Sequence, residues 1–382
     1  MEVHSIMDLP DDCLIFIFQA LDCGPDRESF GLTCHRWLRI QNITRRSLQF
    51  HCSLSLFNRS PSQSNIDISS YRLSRLLTRF TYLRSLSLSG CTKLPDSGLA
   101  QLQFSGHDLR ALHMDCCFGI TDNGISLIST SCPNLAVISL YRCNVTDAGL
   151  EALACSCLGL RDVNLAYCSL ITDRGVSALS QRCRELQAVK VSSCRRISGT
   201  GFRGCSQTLA HIDAESCKLE PEGIMDIVSG KGLEYLNLSG LSWQFQADAL
   251  GPIGGGVCER LKILNLRMCR TIGNESIYSI AKGCPLLEEW NLALCHEVKL
   301  QGWESIGRFC NNLERLHVNR CRNLCDRGFQ ALREGCRRLS ALYISGSYRI
   351  SGHTIELFKL HRGHVEIMEK EVMCIGPHWT SQ

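Results

Sequence analysis

The chain has 382 residues, 25 of them Cys, and its 41 Lys plus Arg against 37 Asp plus Glu leave a net charge of only +4. So small an imbalance leaves no electrostatic footprint for nucleic acid, and no stretch approaches the roughly 20 consecutive apolar residues of a membrane helix. The N-terminus lacks a basic stretch followed by an apolar signal core, so a reducing intracellular compartment is expected, the cytoplasm, the nucleus or both.

Residues 1–46 read as a small helical unit. Leu9-Pro10-Asp11-Asp12 has the chemistry of a helix start, because Pro is tolerated in the first turn and acids are favoured there. Leu14, Ile17, Phe18 and Leu21 then form an apolar stripe at i, i+3, i+4, i+7. Asp22 to Pro25 breaks the chain, and Phe30, Cys34, Trp37 and Leu38 predict a second amphipathic helix. A unit of about 40 residues has too little interior to stand alone, so it must pack on the rest of the chain or on another protein.

Residues 47–82 connect this unit to the longer C-terminal part of the chain. His51 to Phe57 resembles a degraded strand, and the Ser/Asn/Pro stretch from Asn58 to Asn65 reads as a loop. Tyr71, Leu73, Leu76, Leu77 and Phe80 suit a helix that caps an open solenoid end.

From Leu83 to residue 362 one register returns eleven times: Leu, two residues, an aliphatic, one residue, an aliphatic, two residues and usually Cys. The copies begin at Leu83, Leu109, Leu135, Leu160, Leu186, Leu209, Leu233, Leu261, Leu287, Leu313 and Leu339, a spacing of 23 to 28 residues that is the period of leucine-rich repeats. In the copy at Leu135, Ile138 and Leu140 face one way with Leu135, while Val137, Ser139 and Tyr141 face the other, which is a short strand. Thr146-Asp147 then supplies a helix cap, and Leu150, Leu153 and Cys157 continue at helical spacing. The expected fold is therefore an α/β leucine-rich-repeat solenoid, a horseshoe with its parallel sheet on the concave side and its helices on the convex side, preceded by the small all-α unit.

Two copies depart from the pattern. The fifth is short, leaving room for little more than one helical turn before Leu209. The seventh is long, replaces Cys by Leu241, and inserts Trp243, Phe245 and Gly254 to Gly256. The Gly cluster lacks the G-K-[ST] ending of a phosphate loop. It reads either as a loop on the rim or convex side or, through Trp243, as a partner contact. Beyond residue 363 the repeat stops, and Val372 to Trp379 is expected to cover the far end of the solenoid.

The Cys follow the same register. Nine stand eight residues after a repeat's first Leu, and eight more stand just before the next repeat. That is the placement of a compact buried hydrophobe, and the chain has no C-x-x-C pair to hold zinc. His113, His211 and His317 fall in different repeats, too far apart to share a metal. With no G-x-S-x-G or H-E-x-x-H either, neither a metal, a cofactor nor a catalytic residue is expected.

The Leu9-Pro10-Asp11-Asp12 opening with Leu14, Ile17, Phe18 and Leu21, followed by Leu32, Cys34, Arg36 and Trp37, looks like an F-box. An F-box ahead of Cys-rich leucine-rich repeats resembles the F-box/LRR substrate receptors of SCF-type cullin-RING ubiquitin ligases, over nearly the whole chain. The resemblance implies that Leu9, Pro10, Leu14, Ile17, Phe18, Leu21, Leu32, Cys34 and Trp37 form or support the surface that docks a Skp-family adaptor, and through it a cullin and a RING subunit. For Leu14, Leu21 and Leu32 the plainer role, packing the helices together, stands beside that one.

On the repeat frame, the side chains two, four and six residues after each first Leu line the concave face, where a protein substrate would bind. The candidates are Tyr141, Asp162, Asn164, Lys190, Asp213, Glu215, Arg267, Arg315, His317 and Tyr343 on that face and Arg270 in a loop on its rim, with an acidic centre and a basic rim near the C-terminal half. That basic rim is either a solvated edge or a surface that steers an acidic or phosphorylated segment. Two other functions fit the same frame: a receptor whose concave face holds a small-molecule co-ligand, and a plain protein-interaction scaffold.

Overall fold

The computed structural model describes residues 6–50, 68–241, 249–256, 258–270 and 272–377. The expected strand at 51–57, the loop at 58–65 and the seventh repeat's Trp243 and Phe245 lie outside these residues. Three helices open the chain: α1 (Asp11–Ala20), α2 (Gly24–Thr33) and α3 (His35–Thr44). The sequence predicts a single helix through Phe30 and Leu38. The chain instead breaks at Cys34, whose backbone is fully extended, and α3 folds back along α2. Gly31 permits that approach, since a Cβ there would clash with the Gln41 side-chain amide.

Strand β1 (Ser47–Gln49) begins the solenoid directly after α3, ahead of the segment where the sequence predicts a strand. Helix α4 (Ser70–Arg79) follows, with Leu73 and Leu77 buried. Arg79 ties it to α3 by donating to Gln41 Oε1 at 2.7 Å and Asn42 Oδ1 at 2.6 Å, and the Arg45 guanidinium lies over the Phe80 ring.

The strands that come next are β2 (Ser85–Ser87), β3 (Ala111–His113), β4 (Val137–Ser139), β5 (Asp162–Asn164), β6 (Ala188–Lys190), β7 (His211–Asp213), β8 (Tyr235–Asn237), β9 (Ile263–Asn265), β10 (Glu289–Asn291), β11 (Arg315–His317), β12 (Ala341–Tyr343) and β13 (Glu366–Met368). All thirteen form one parallel sheet in strictly sequential order, each in register with its neighbours. The intervening helices are α5 (Leu102–Ser105), α6 (Asp122–Ser131), α7 (Asp147–Ser156), α8 (Asp173–Arg182), α9 (Pro221–Val228), α10 (Asn274–Gly283), α11 (Leu300–Phe309), α12 (Asp326–Gly335) and α13 (Gly352–His361). In the short fifth repeat the helix shrinks to a 3-10 turn at Thr200–Phe202. In the seventh it is a 3-10 turn at Gly251–Gly254 on the convex side, where Gly254 abuts the α10 backbone.

One apolar core runs from Leu48 to Val365 between sheet and helices. Each Leu or Ile removed from water contributes roughly 1.5–3 kcal/mol, and stacked repeats share that burial across every interface.

Three ladders fix the repeats to one another. The residue seven after each first Leu sits in the left-handed region, as Gly90, Gly240 and Gly346 in three repeats and as non-glycines such as Arg142 (φ 57°) and Tyr167 (φ 63°) in the other eight. Its N–H donates to the next repeat, for instance Arg142 to Ala166 O and Tyr167 to Ser192 O, extending the sheet hydrogen bonding past the strand. The Cys that comes after it points its thiol back at the preceding repeat: Cys143 Sγ lies 3.0 Å from Met114 O, Cys168 Sγ 3.0 Å from Leu140 O and Cys194 Sγ 3.1 Å from Leu165 O. Each of these carbonyls already accepts a backbone N–H from its own repeat, as Met114 O does from Cys117 and Leu140 O from Cys143, so the S–H adds a second, weak bond between repeats that Ala or Val would lack. Third, Thr121, Thr146 and Thr172 cap their own helices, and each also gives its N–H and O–H to an Asp of the previous repeat, as Thr172 does to Asp147 at 2.8 and 2.6 Å.

Candidate functional site

Among the described residues, the helical unit at the N-terminus has a core of Leu14, Phe18, Phe30 and Ile40. Trp37 stacks on Phe30 at 4.3 Å and Phe18 tilts against the same ring at 5.2 Å, so Leu14, Phe18 and Trp37 hold α1, α2 and α3 together. Arg36 donates to Asp11 at 2.7 Å and to the Leu9 carbonyl at 2.6 Å, fixing the Leu9-Pro10 start against α3. The hydrogen bond from Arg36 holds the Asp11 carboxyl below its usual range. Leu9, Ile17, Leu21 and Cys34 are half-buried, while Pro10 and Leu32 are exposed, Leu32 at 85%.

Phe16, 72% exposed, joins Leu32 as the large apolar side chain most open to solvent on this unit. Sequence reasoning passes over it because it lies off the i, i+3, i+4, i+7 stripe. An aromatic on the otherwise polar face of an amphipathic helix is the available signal. Two such side chains on so small a unit are what an interface anchor requires.

The second surface is the concave sheet face. Around β4 and β5 the candidates reach solvent. Tyr141 meets Tyr167 edge-on at 5.3 Å, and Asn164 donates to Ser139 Oγ at 3.1 Å while accepting from its own repeat's Ala166 N–H. Asp162 is half-buried, and loss of water pushes its carboxyl up despite nearby His211. Burial likewise pushes His113 and His211 down.

At β6 and β7 the charges pair. Asp213 accepts from Ser192 Oγ at 2.6 Å and Asn237 Nδ2 at 3.0 Å, with Lys190 Nζ at 3.6 Å. Glu215 beside it is pushed up by burial and then by Asp213. The expected acidic centre thus contains Asp213 facing Lys190 and two carboxyls, Asp162 and Glu215, that burial pushes above their ordinary range.

The C-terminal half is less basic than its composition implies. Glu289 accepts from Arg315 Nε at 2.9 Å and shares a 2.8 Å hydrogen bond with His317 Nε2. Burial would raise Glu289, but those two partners outweigh it and hold the carboxyl below its ordinary range. Tyr343 stacks flat on His317 at 4.0 Å. Arg270 is exposed, but Arg267 is buried and paired at 2.8 Å with Glu371, a residue 104 positions later.

That pairing belongs to a feature the repeat pattern does not predict. The sequence places the tail over the far end of the solenoid; instead β13 closes the sheet, and residues 369–377 turn back along the concave face. Asn319 Nδ2 donates to Lys370 O at 3.1 Å, and Gly376 lies against the Tyr235 ring, where a Cβ would clash with the ring edge. Trp379 lies outside the described residues. No local pattern announces a contact between residues so far apart in the chain. The one available sign is Gly376, held at φ 108°.

Comparison with known proteins agrees with this architecture. A Leucine Rich repeat family model matches residues 131–154 and 157–180. The chain is similar to the F-box/LRR-repeat protein 12 of Arabidopsis thaliana, with 67% identity over 376 residues covering 98% of this chain and 95% of that protein. A weaker likeness, 26% identity over 169 residues, links 38% of this chain to 28% of the coronatine-insensitive protein homolog 1b of Oryza sativa subsp. japonica. Among solved structures, a chain of the yeast Rad7 and Elc1 complex shares the fold with a TM-score of 0.60 at 17% identity, covering 94% of this chain and 93% of that one. An internalin from Listeria monocytogenes does so with a TM-score of 0.54 at 15% identity, covering 82% and 92%. From the exposed apolar helices at one end to the stacked repeats after them, this chain belongs to the F-box/LRR-repeat proteins.

Proposed function

We propose that the chain is the substrate-recognition subunit of an SCF-type ubiquitin ligase in the cytoplasm or nucleus. Helices α1 to α3 dock a Skp-family adaptor and, through it, a cullin and a RING subunit. The concave repeat face holds a target protein for ubiquitin transfer and proteasomal degradation. The observation that carries the adaptor half is the pair Phe16 and Leu32, apolar and open to solvent on a unit whose own core is four side chains. The chain's contribution is proximity: tethering turns a bimolecular encounter into a local one and asks no chemistry of this chain's residues.

Co-expression with a Skp-family adaptor tests the adaptor half. Wild type should retain the adaptor through purification, and Phe16→Ala/Leu32→Ala should lose it while melting at the wild-type temperature. Equal retention by both chains, or by neither, overturns the reading. Affinity capture in cells under proteasome inhibition tests the other half, with targets expected to accumulate on the adaptor-disabled variant.

A further inference from the structure

Residues 369–377 leave the sheet after β13 and cross back over it to β8. Five strand spacings span about 24 Å, within the roughly 30 Å reach of nine extended residues. The segment forms no helix or strand, and few contacts hold it. Glu371 accepts from buried Arg267 at 2.8 Å, with Arg320 at 3.7 Å. The Lys370 carbonyl accepts from Asn319, Ile375 is buried, and Gly376 rests on Tyr235. Met373 and Cys374 between these points are exposed.

The floor under this segment offers more than the segment uses. Arg267 Nε and Asn319 Oδ1, on the two residues that grip the tail, are buried without a hydrogen-bond partner, and so are Asn265 Nδ2, Asn291 Nδ2 and His317 Nδ1 in the neighbouring column. A buried polar group left unmatched is costly, so the tail fits this floor incompletely. A guanidinium held out of water in front of a carboxylate marks what the floor selects.

We propose that the concave face from β8 to β11 is a groove for an extended acidic peptide segment. The chain's own residues 369–377 are its resident occupant, and a segment of the same chemistry from the target protein displaces them by placing a carboxylate on Arg267. This rests on the reading of the concave face as the target-binding surface and names the chemistry it takes. A tethered occupant acts at an effective concentration on the order of millimolar, so competitors succeed only by matching the floor better or when the tail's anchors fail. Gly376 is the anchor to break: its φ and its contact with Tyr235 both exclude a side chain, and it contributes nothing to the floor.

The test uses the full chain and a fluorescein-labelled synthetic peptide with the sequence of residues 369–377, read by fluorescence anisotropy. Gly376→Ala should bind the peptide at least tenfold more tightly than wild type, and hydrogen exchange across residues 369–377 should rise in that variant. Adding Arg267→Glu should abolish binding, while Glu371→Ala, a second way to loosen the tail, should bind like Gly376→Ala. Unchanged exchange in both loosened variants, peptide binding no tighter than wild type, or binding that survives Arg267→Glu each overturns the proposal. Adaptor retention, measured on the same variants, reports on the ligase reading separately, because these changes lie far from α1 to α3.

Discussion

Around β4 to β6 the concave face carries Tyr141, Asp162, Asn164 and Lys190, partly open to solvent beside the small buried Ser139, Ala188 and Ser192; around β9 to β11 it carries the larger polar Asn265, Arg267, Asn291 and His317, all buried, with Ile263 and Arg315 partly open. The repeat is the same in both halves, and so is the core behind it. What differs is a segment that arrives from the end of the chain and a set of polar side chains built to meet something. A repeat frame thus determines where a side chain points, while its availability depends on contacts the frame does not contain.

If the two halves share one core, the largest effects should not distinguish them. Leu165→Ala in the open half and Leu292→Ala in the covered half remove side chains that are both 0% exposed, and each should cost roughly 2–5 kcal/mol in chemical denaturation. A clearly larger loss at Leu292 would show that the tail stabilises its half globally. The inter-repeat latches should separate the halves. Asp147→Ala strips the Thr172 N–H and O–H of their acceptor and should cost roughly 1–3 kcal/mol. Asn274→Ala, which removes one bond to the Lys299 N–H and one to Gln301, should cost less by the same measurement.

A smaller effect of opposite sign is expected at the left-handed ladder. Arg142→Gly should stabilise the fold by about 1 kcal/mol, because a non-glycine at φ 57° carries a steric penalty that glycine escapes. The smallest concerns pH. His113 and His211 titrate below the ordinary histidine value of 6.5 when folded, so the unfolded chain takes up protons first and stability falls as pH drops through about 6.5. Asp162 and Glu215, raised from carboxylate values of 3.8 and 4.5, act in the opposite sense but in a more acid window. Melting temperatures between about pH 7.5 and about pH 6 should decline less in His113→Gln/His211→Gln than in wild type.

Most of the fold is legible because it is local. The Leu register places strands β2 to β12, and the Thr-Asp pairs place helix starts. What those pairs conceal is their second role, since an Asp reaching the next repeat's Thr looks, in sequence, like part of its own helix cap. The break at Cys34 and the close packing of Gly31 on Gln41 are hidden for a related reason: both depend on α3 folding back. Arg267 shows the limit most clearly. The repeat frame places it correctly on the concave face, but its partner, Glu371, lies 104 residues away and cannot be inferred from the repeat.

The buried thiols have a practical consequence. Burial pushes Cys132, Cys168, Cys194, Cys258, Cys284, Cys321 and Cys336 up to about 12, so an alkylating reagent at neutral pH meets almost no thiolate at these sites while the repeats stay closed. With such a probe at nearly every turn of the solenoid, a timed pulse of reagent and subsequent peptide mass mapping would record which repeats fray, in what order and how often.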